Sequence, residues 1–216
     1  MYKRQGKITI NKRDLAQYFP STILQYVVKQ PLNKLEVAEK YDIKKVVSIV
    51  TGGETGADSI FRGLCEAESY ALECKDDDSI VLIHDGVRPL IYEQTITDNI
   101  SCVKEYGSCI TIVPAIETII VDKGNGDIDL PSRADCRLAR APQSFRLKDV
   151  ITAYRKARVE GLPEFIDSCS LMNHYGYKLA TIEGPMENIK ITTPTDYFLF
   201  RAMVESLENQ QIFGLF

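Results

Sequence analysis

The sequence predicts an α/β layered fold: a mostly parallel sheet flanked by helices, with a short β-hairpin projecting from it. Three observations carry that prediction. From Val46 onward, short apolar runs alternate with segments of helical period, the pattern of strand–helix crossovers. One run, Ser79–His84, is continuously apolar, as expected of a strand covered on both faces. Two β-prone runs, Thr118–Val121 and Asp127–Leu130, flank Asp122-Lys-Gly-Asn-Gly126, the signature of a hairpin or projecting arm.

The elements follow in order. The first twenty-odd residues show no clear period, and Leu35–Tyr41 reads as the end of a helix before a strand at Val46–Val50. Thr51–Thr55 is a turn into an amphipathic helix whose stripe is Ile60, Leu64, Ala67 and Ala71. After the apolar strand come a loop at Asp85–Pro89, a helix near Glu93–Glu105 and a strand at Cys109–Val113. Beyond the hairpin, Leu147–Arg158 and Phe165–His174 read as helices, and Lys178–Glu183 and Asn188–Thr192 as strands. Thr193-Pro194-Thr195-Asp196 opens a last helix with a capping residue, Pro at the first position and an early acid. No repeat, linker or low-complexity tract interrupts the 216 residues, so residues 1–216 read as one domain, with an arm over about 115–137.

Composition narrows the function classes. The net charge of −4, with acids and bases interspersed, argues against a nucleic-acid or membrane-surface protein. No apolar run reaches a membrane-spanning length, and the first residues lack the basic-then-apolar pattern of a secretory signal. The six cysteines form no C-x-x-C pair and only two histidines exist, so reduced core thiols are expected rather than disulfides or zinc. These features predict a cytoplasmic protein with no metal site of its own.

Ligands of such sheets bind at the carboxyl ends of the strands. Gly52-Gly53-Glu54 follows a strand and precedes a helix, so its backbone can approach a flat group closely; two glycines alone would equally make a tight turn. Asp85-Gly86-Val87-Arg88-Pro89 sets an acid and a base three residues apart, where an Asp can hold a hydroxyl and an Arg can fork onto a phosphate. The alternative there is a surface ion pair. Arg133, Arg137 and Arg140 crowd the stretch before Ala141-Pro142-Gln143, which suits either an anionic ligand or a solvated basic face. Lys190 and Thr192 run into a helix N-terminus, a natural anion site. Ser170 and His174 lie one helical turn apart and read as a helix surface. Cations and helix N-termini gathered at one sheet edge are what phosphoryl or nucleotidyl transfer needs.

Four motifs then occur in order: Gly52-Gly53-Glu54 with Asp58-Ser59; His84-Asp85-Gly86-Val87-Arg88-Pro89; Ala141-Pro142-Gln143-Ser144-Phe145; and Asn188-Ile189-Lys190-Ile191-Thr192-Thr193-Pro194-Thr195-Asp196. The series resembles the family of 2-C-methyl-D-erythritol 4-phosphate and ribitol-5-phosphate cytidylyltransferases over about three quarters of the chain. The resemblance implies a Rossmann-like nucleotidyltransferase fold with a dimer arm, CTP and a polyol phosphate as substrates, and a homodimer formed through the arm. It implies that Gly53, Glu54 and Ser59 read the cytosine, with Gly86 and Thr192 also on the CTP side. Asp85 and Arg88 would lie beside the ribose and the acceptor, and Lys190 would neutralise the triphosphate. Thr118 and Arg133 would grip the acceptor phosphate, often across the subunit boundary. Mg²⁺ would bridge the triphosphate oxygens.

The departures from the family pattern are specific. The family's opening glycine-rich loop and Pro-Lys-Gln motif have no match in residues 1–45, where Gly6 is the sole glycine; Val28-Lys29-Gln30-Pro31 is a superficial echo. Two cations that stabilise the transition state are therefore expected to be lacking, and turnover by this chain is expected to be weak. In that event a catalytically degenerate nucleotide-binding and dimerisation module is the competing reading. Gly56 and Ala141 stand where many members have Arg and Thr. Together with Asp167-Ser168-Cys169, they tilt the expectation toward a surface-polysaccharide acceptor.

Overall fold

A computed structural model describes residues 24–28, 46–163 and 165–213. Strands β1 (Leu24–Val28) and β2 (Val46–Thr51) form a parallel pair. Helix α1 (Gly56–Cys74) follows, then β3 (Ile80–Ile83), α2 (Glu93–Tyr106) and β4 (Ser108–Pro114). The hairpin β5 (Val121–Gly124) and β6 (Asp127–Asp129) leads through a single 3₁₀ turn at Arg133–Asp135 to the long strand β7 (Arg137–Arg146). Helices α3 (Leu147–Glu160) and α4 (Ser168–His174), strand β8 (Thr181–Glu183) and helix α5 (Pro194–Phe213) complete the order.

The main sheet runs β3-β7-β4-β8. Both β3 and β4 pair antiparallel with β7, and β8 pairs parallel with β4. Three strands thus share one direction, with β7 running against them in the middle, and helices flank this mixed sheet.

Local chemistry explains most of the boundaries. Thr55 caps α1 by accepting from the Asp58 amide at 3.1 Å. Gly107 (φ 85°) and Gly161 (φ 63°) take the left-handed turn that ends α2 and α3. At the start of α5, Asp196 accepts from the Thr193 amide at 2.7 Å while its own amide donates to Thr193 Oγ1 at 3.2 Å, a reciprocal cap. The stripe Ile60, Leu64, Ala67 and Ala71 faces the core, as its spacing predicts, and meets Phe145, Val150, Ile151, Leu171 and Met172 there. Within the sheet's buried layer, Asn99 donates to Thr111 Oγ1 at 3.0 Å and to the Thr95 carbonyl at 2.8 Å. Its Oδ1 accepts from Ser144 Oγ at 2.8 Å. That network fixes α2 against β4 and β7.

Several expectations are corrected. Arg137–Arg146, read from sequence only as an arginine-rich approach to a motif, is the longest strand of the sheet. Pro142 hid it, because proline is a poor residue for an interior strand. The fold accommodates Pro142 at an irregularity: Ile110 pairs with Gln143 and Ile112 with Ala139, so Arg140–Pro142 bulge opposite Thr111. Asn188–Thr192, expected as a strand, is an irregular loop tied to the 85–88 turn by the Ile191 amide donating to the Val87 carbonyl at 2.9 Å. Regular strand is confined to Thr181–Glu183 within Lys178–Glu183, and helix to Ser168–His174 within Phe165–His174. Leu24–Val28 is a strand in a stretch whose period was not apparent. The hairpin forms a few residues later on its first side than expected, turning at Asn125 and Gly126. The expected helix end at Leu35–Tyr41, and the comparison of residues 1–45 with a glycine-rich loop, lie outside the described residues apart from Leu24–Val28.

Asn99→Ala removes the acceptor of Ser144 and the donor to Thr111 in a buried layer. Each stranded hydroxyl costs about 1–3 kcal/mol. The expected result is a lower urea midpoint with an unchanged m-value, read by circular dichroism.

Candidate active site

The carboxyl end of β3 opens into a tight turn, Asp85–Arg88, closed by the Arg88 amide donating to the Asp85 carbonyl at 3.0 Å. Arg88 folds back so that its Nε donates to Asp85 Oδ2 at 2.8 Å. The other carboxylate oxygen, Oδ1, accepts from Lys190 Nζ at 2.9 Å, across more than a hundred residues of sequence. Asp85, Arg88 and Lys190 are thus brought together, as the sequence expects. The Arg88 side chain is only 11% exposed, so this is a half-buried ion cluster rather than a surface pair. Burial works against the charge of Asp85, but hydrogen bonds from Arg88 and Lys190 outweigh it and hold the carboxyl below the ordinary value of 3.8.

A second clasp fixes Arg88. Its Nη1 donates to the Asn188 carbonyl at 2.8 Å, and Arg140 Nη1 donates to that same oxygen at 2.8 Å. Asn188 is buried, and its Nδ2 donates to the Ala141 carbonyl at 2.8 Å, while its Oδ1 has no partner among the described residues. One asparagine therefore joins the 85–88 turn, the β7 bulge and the 184–192 loop. Burial lowers the pKa of Arg140, and the neighbouring charge of Arg88 adds to that effect.

Below the turn, His84 Nε2 lies 2.9 Å from the Arg88 carbonyl. A carbonyl only accepts, so Nε2 carries the proton and the buried Nδ1 is left an acceptor without a partner among the described residues. A second proton on the ring would have nowhere to bond, and burial lowers the pKa accordingly, against the opposing pull of the Arg88 carbonyl.

The second predicted segment is built around Ser59. Its Oγ accepts from the Gly53 amide at 3.0 Å and donates to the Thr55 carbonyl at 2.8 Å, locking the Gly-Gly-Glu turn onto the start of α1. A Cβ at position 53 would lie 2.1 Å from Asp58 Cβ, so close approach requires glycine there. Glu54 and Gly86 are exposed, Glu54 at the tip of its turn and Gly86 within the 85–88 turn. Thr192 donates through both its amide (2.8 Å) and its hydroxyl (3.0 Å) to Asp196 Oδ2, which is pushed down to about 2 by the amides of Thr192 and Thr193.

Thr118 and Arg133 are not brought to this cluster. Both are exposed on the arm, where Arg133 Nη1 donates to the Ile116 carbonyl at 3.3 Å. Among the described residues Arg137 likewise bonds only the carbonyls of Ala134 and Cys136. Of the three arginines singled out before Ala141, only Arg140 joins the Asp85 turn. Nothing in the sequence set it apart from Arg133 and Arg137, because a bulge in the β4–β7 pairing places it. Gln143, whose Nε2 donates to Asp167 Oδ2 at 2.9 Å while its Oε1 accepts from the Cys169 amide, proves a strut between β7 and α4. Ser170 bonds Asp167 and His174 packs on Phe165, so that pair is the helix surface it was read as.

One carboxylate held by two cations at the carboxyl end of a strand in an α/β sheet is an arrangement suited to a phosphorylated ligand, the kind a nucleotidyltransferase binds. Residues 16–206 match the family IspD, 2-C-methyl-D-erythritol 4-phosphate cytidylyltransferase, and the chain belongs to that family of CTP-dependent enzymes. It is 50% identical over 176 residues to a ribitol-5-phosphate cytidylyltransferase of Vibrio parahaemolyticus, spanning 81% of this chain and 72% of that one. To a 2-C-methyl-D-erythritol 4-phosphate cytidylyltransferase of Geotalea uraniireducens it is 32% identical, over 84% of this chain and 75% of that one. The fold matches the crystal structure of the 4-diphosphocytidyl-2C-methyl-D-erythritol synthase of Anaerococcus prevotii with a TM-score of 0.72, at 24% identity, over 85% of this chain and 78% of that one.

The His84 geometry fixes a sign. Its folded pKa lies below the ordinary 6.5, so the unfolded chain binds more protons in this range. Stability contributed by the neutral ring is present above 6.5 and is lost as pH falls below it. The losses from Asp85 and Asp196 come separately, below 3.8. Urea midpoints for the native chain are expected to fall between pH 6.5 and 5, and His84→Gln is expected to flatten that slope.

Proposed function

We propose that this chain transfers CMP from CTP to D-ribitol 5-phosphate, releasing pyrophosphate. The observation that carries the reading is the Asp85–Arg88–Lys190 cluster, which joins two family motifs at one strand end. The 50% identity to a ribitol-5-phosphate enzyme, against 32% to a methylerythritol-phosphate enzyme, supports ribitol phosphate as the acceptor.

In this reading Gly53, Glu54 and Ser59 hold the cytosine: Gly53 lets the turn close against Asp58, and Ser59 holds the turn in place. Lys190 neutralises triphosphate charge, with Gly86 and Thr192 lining the same side. Asp85 orients a ribose or acceptor hydroxyl, and its two cations keep it ionised at neutral pH. A phosphate oxygen of the acceptor attacks the α-phosphorus in line; the new P–O bond forms as the bond to the leaving pyrophosphate breaks. Arg88, held by Asp85 and the Asn188 carbonyl, is placed to steady the charge that develops.

Mg²⁺ fits this donor set in one way. Among the described residues no three acid, His or Cys side chains cluster, and both oxygens of Asp85 are engaged by cations. A Mg²⁺ ion carried mainly on the triphosphate oxygens suits such a site, where it would neutralise charge on the leaving group.

Thr118 and Arg133 fit a homodimer in which the arm of one protomer reaches the site of its partner. The arm exposes Ile116, Ile120, Val121, Ile128 and Leu130, and a two-stranded hairpin is marginal without a surface to pack on. A cytoplasmic location suits the six free cysteines. Among the described residues no helix is long and apolar enough to cross a membrane.

Pyrophosphate release with CTP is the direct test. D-ribitol 5-phosphate is expected to give a kcat/KM about tenfold or more above that of 2-C-methyl-D-erythritol 4-phosphate, and ATP to replace CTP poorly. CTP binding without turnover would replace the enzyme reading with that of a nucleotide-binding module. Sedimentation tests the arm: the native chain should run as a dimer, and Ile128→Asp with Leu130→Asp should run as a monomer.

A further inference from the structure

We propose that Arg140 is a phosphate-binding residue of the acceptor subsite, closing with Arg88 on the phosphate monoester of the polyol. The choice of a polyol phosphate rests on the cytidylyl-transfer reading above; the placement of Arg140 rests on the geometry alone.

The β7 bulge delivers Arg140. Pairing of β3 with β7 ends at Ile83–Gln143, so residues 140–142 lie just past the carboxyl end of β3, where the 85–88 turn begins. There the Arg140 guanidinium donates to the oxygen that Arg88 also uses, so the two Nη1 atoms are no further apart than twice 2.8 Å. Arg88 has a carboxylate partner. Arg140 has none among the described residues, and its only bond is to that neutral carbonyl. The hydrogen-bonded cluster therefore holds three cations, Arg88, Arg140 and Lys190, against one carboxylate, Asp85.

A purely structural role explains this poorly. Pinning a carbonyl needs one N–H and no charge, whereas a half-buried guanidinium beside a like charge is destabilised by both burial and repulsion. An anion between the two guanidinium groups removes both penalties, and the unused face of the Arg140 fork suits paired phosphate oxygens. Arg140 sits on β7, which runs in from the arm that carries Thr118 and Arg133, the residues read above as gripping the acceptor phosphate. This favours the acceptor's phosphate over the triphosphate.

Calorimetric titration of the full chain, which does not depend on turnover, tests the assignment. The titrants are D-ribitol 5-phosphate, 2-C-methyl-D-erythritol 4-phosphate and glycerol 3-phosphate, each with and without CTP, and CTP alone. Arg140→Gln keeps a donor for the Asn188 carbonyl and removes the charge. It is expected to weaken the best-bound polyol phosphate by about tenfold or more, the size of a lost charge-assisted bond. CTP affinity should stay within about twofold, and Arg140→Lys should recover part of the loss. Should Arg140→Gln fail to fold, Arg140→Lys against the native chain gives the same comparison at smaller amplitude. Equal polyol-phosphate affinity in Arg140→Gln and the native chain overturns the proposal. So does an equal loss for CTP, which would assign Arg140 to the triphosphate, and so does a native chain that binds none of the three phosphates. A native preference for a phosphate other than ribitol's would revise the acceptor while leaving the variant comparison to decide Arg140.

Discussion

The site depends on one backbone oxygen. The Asn188 carbonyl accepts from Arg88 and Arg140, while the Asn188 side chain holds the Ala141 carbonyl. Those bonds join three segments that share no regular pairing with one another: the turn after β3, the bulge of β7 and the loop before α5. Without them, among the described residues, the 184–192 loop would be held to the turn by the Ile191 amide and the Lys190 ion pair alone. The ion pair is the weaker tie, because the Lys190 side chain is 46% exposed and well screened. The carbonyl, by contrast, belongs to a residue that is 1% exposed, where a hydrogen bond to a charged donor is strongest and its loss costs most.

The charge arrangement follows from that clasp. Asp85 loses hydration at its site, and its ionised form persists because each oxygen receives a cationic donor. His84, directly before it, goes the other way: one nitrogen is committed to a carbonyl and the other is buried without a partner among the described residues, so burial favours the neutral ring. The resulting excess of cations is a local feature of a chain whose net charge is −4. Bulk charge therefore gave no hint of it, and a polyanionic substrate is the kind of partner that would balance it.

The motif loops were legible because each is a short, contiguous solution to a local problem. Gly53 is required by the approach of Asp58, the 85–88 turn is closed by its own backbone, and Thr193 with Asp196 caps α5. What escaped were features set by pairing at a distance. Strand β7 carries Pro142 and three arginines, so its composition speaks against an interior strand. It is nevertheless held between β3 and β4, and only the mismatch in register with β4 shows how the proline is tolerated. The Asn188–Thr192 stretch errs in the opposite direction: its alternating Ile189, Lys190, Ile191 reads as a strand, yet its hydrogen bonds go to the 85–88 turn, β7 and Asp196 instead of a ladder. Periodicity reports which side chains are buried, and a loop pinned at both faces satisfies it as well as a strand does.

The bulge that accommodates the proline is also what lets Arg140 reach the site. An uninterrupted β4–β7 ladder would set residues 140–142 opposite successive β4 residues, with side chains alternating across the sheet. The bulge places three residues against Thr111 alone, which frees Arg140 from that alternation and lets it turn toward Asn188. Pro142 has no N–H to leave unpaired there, so the break in the ladder forfeits one donor fewer than any other residue would. On the next residues the ladder resumes, and Gln143, Ser144 and Phe145 lock into α4, Asn99 and the core. The irregular and regular parts of β7 are thus interdependent: the rigid half anchors the strand firmly enough for the bulged half to hold two like charges on one carbonyl.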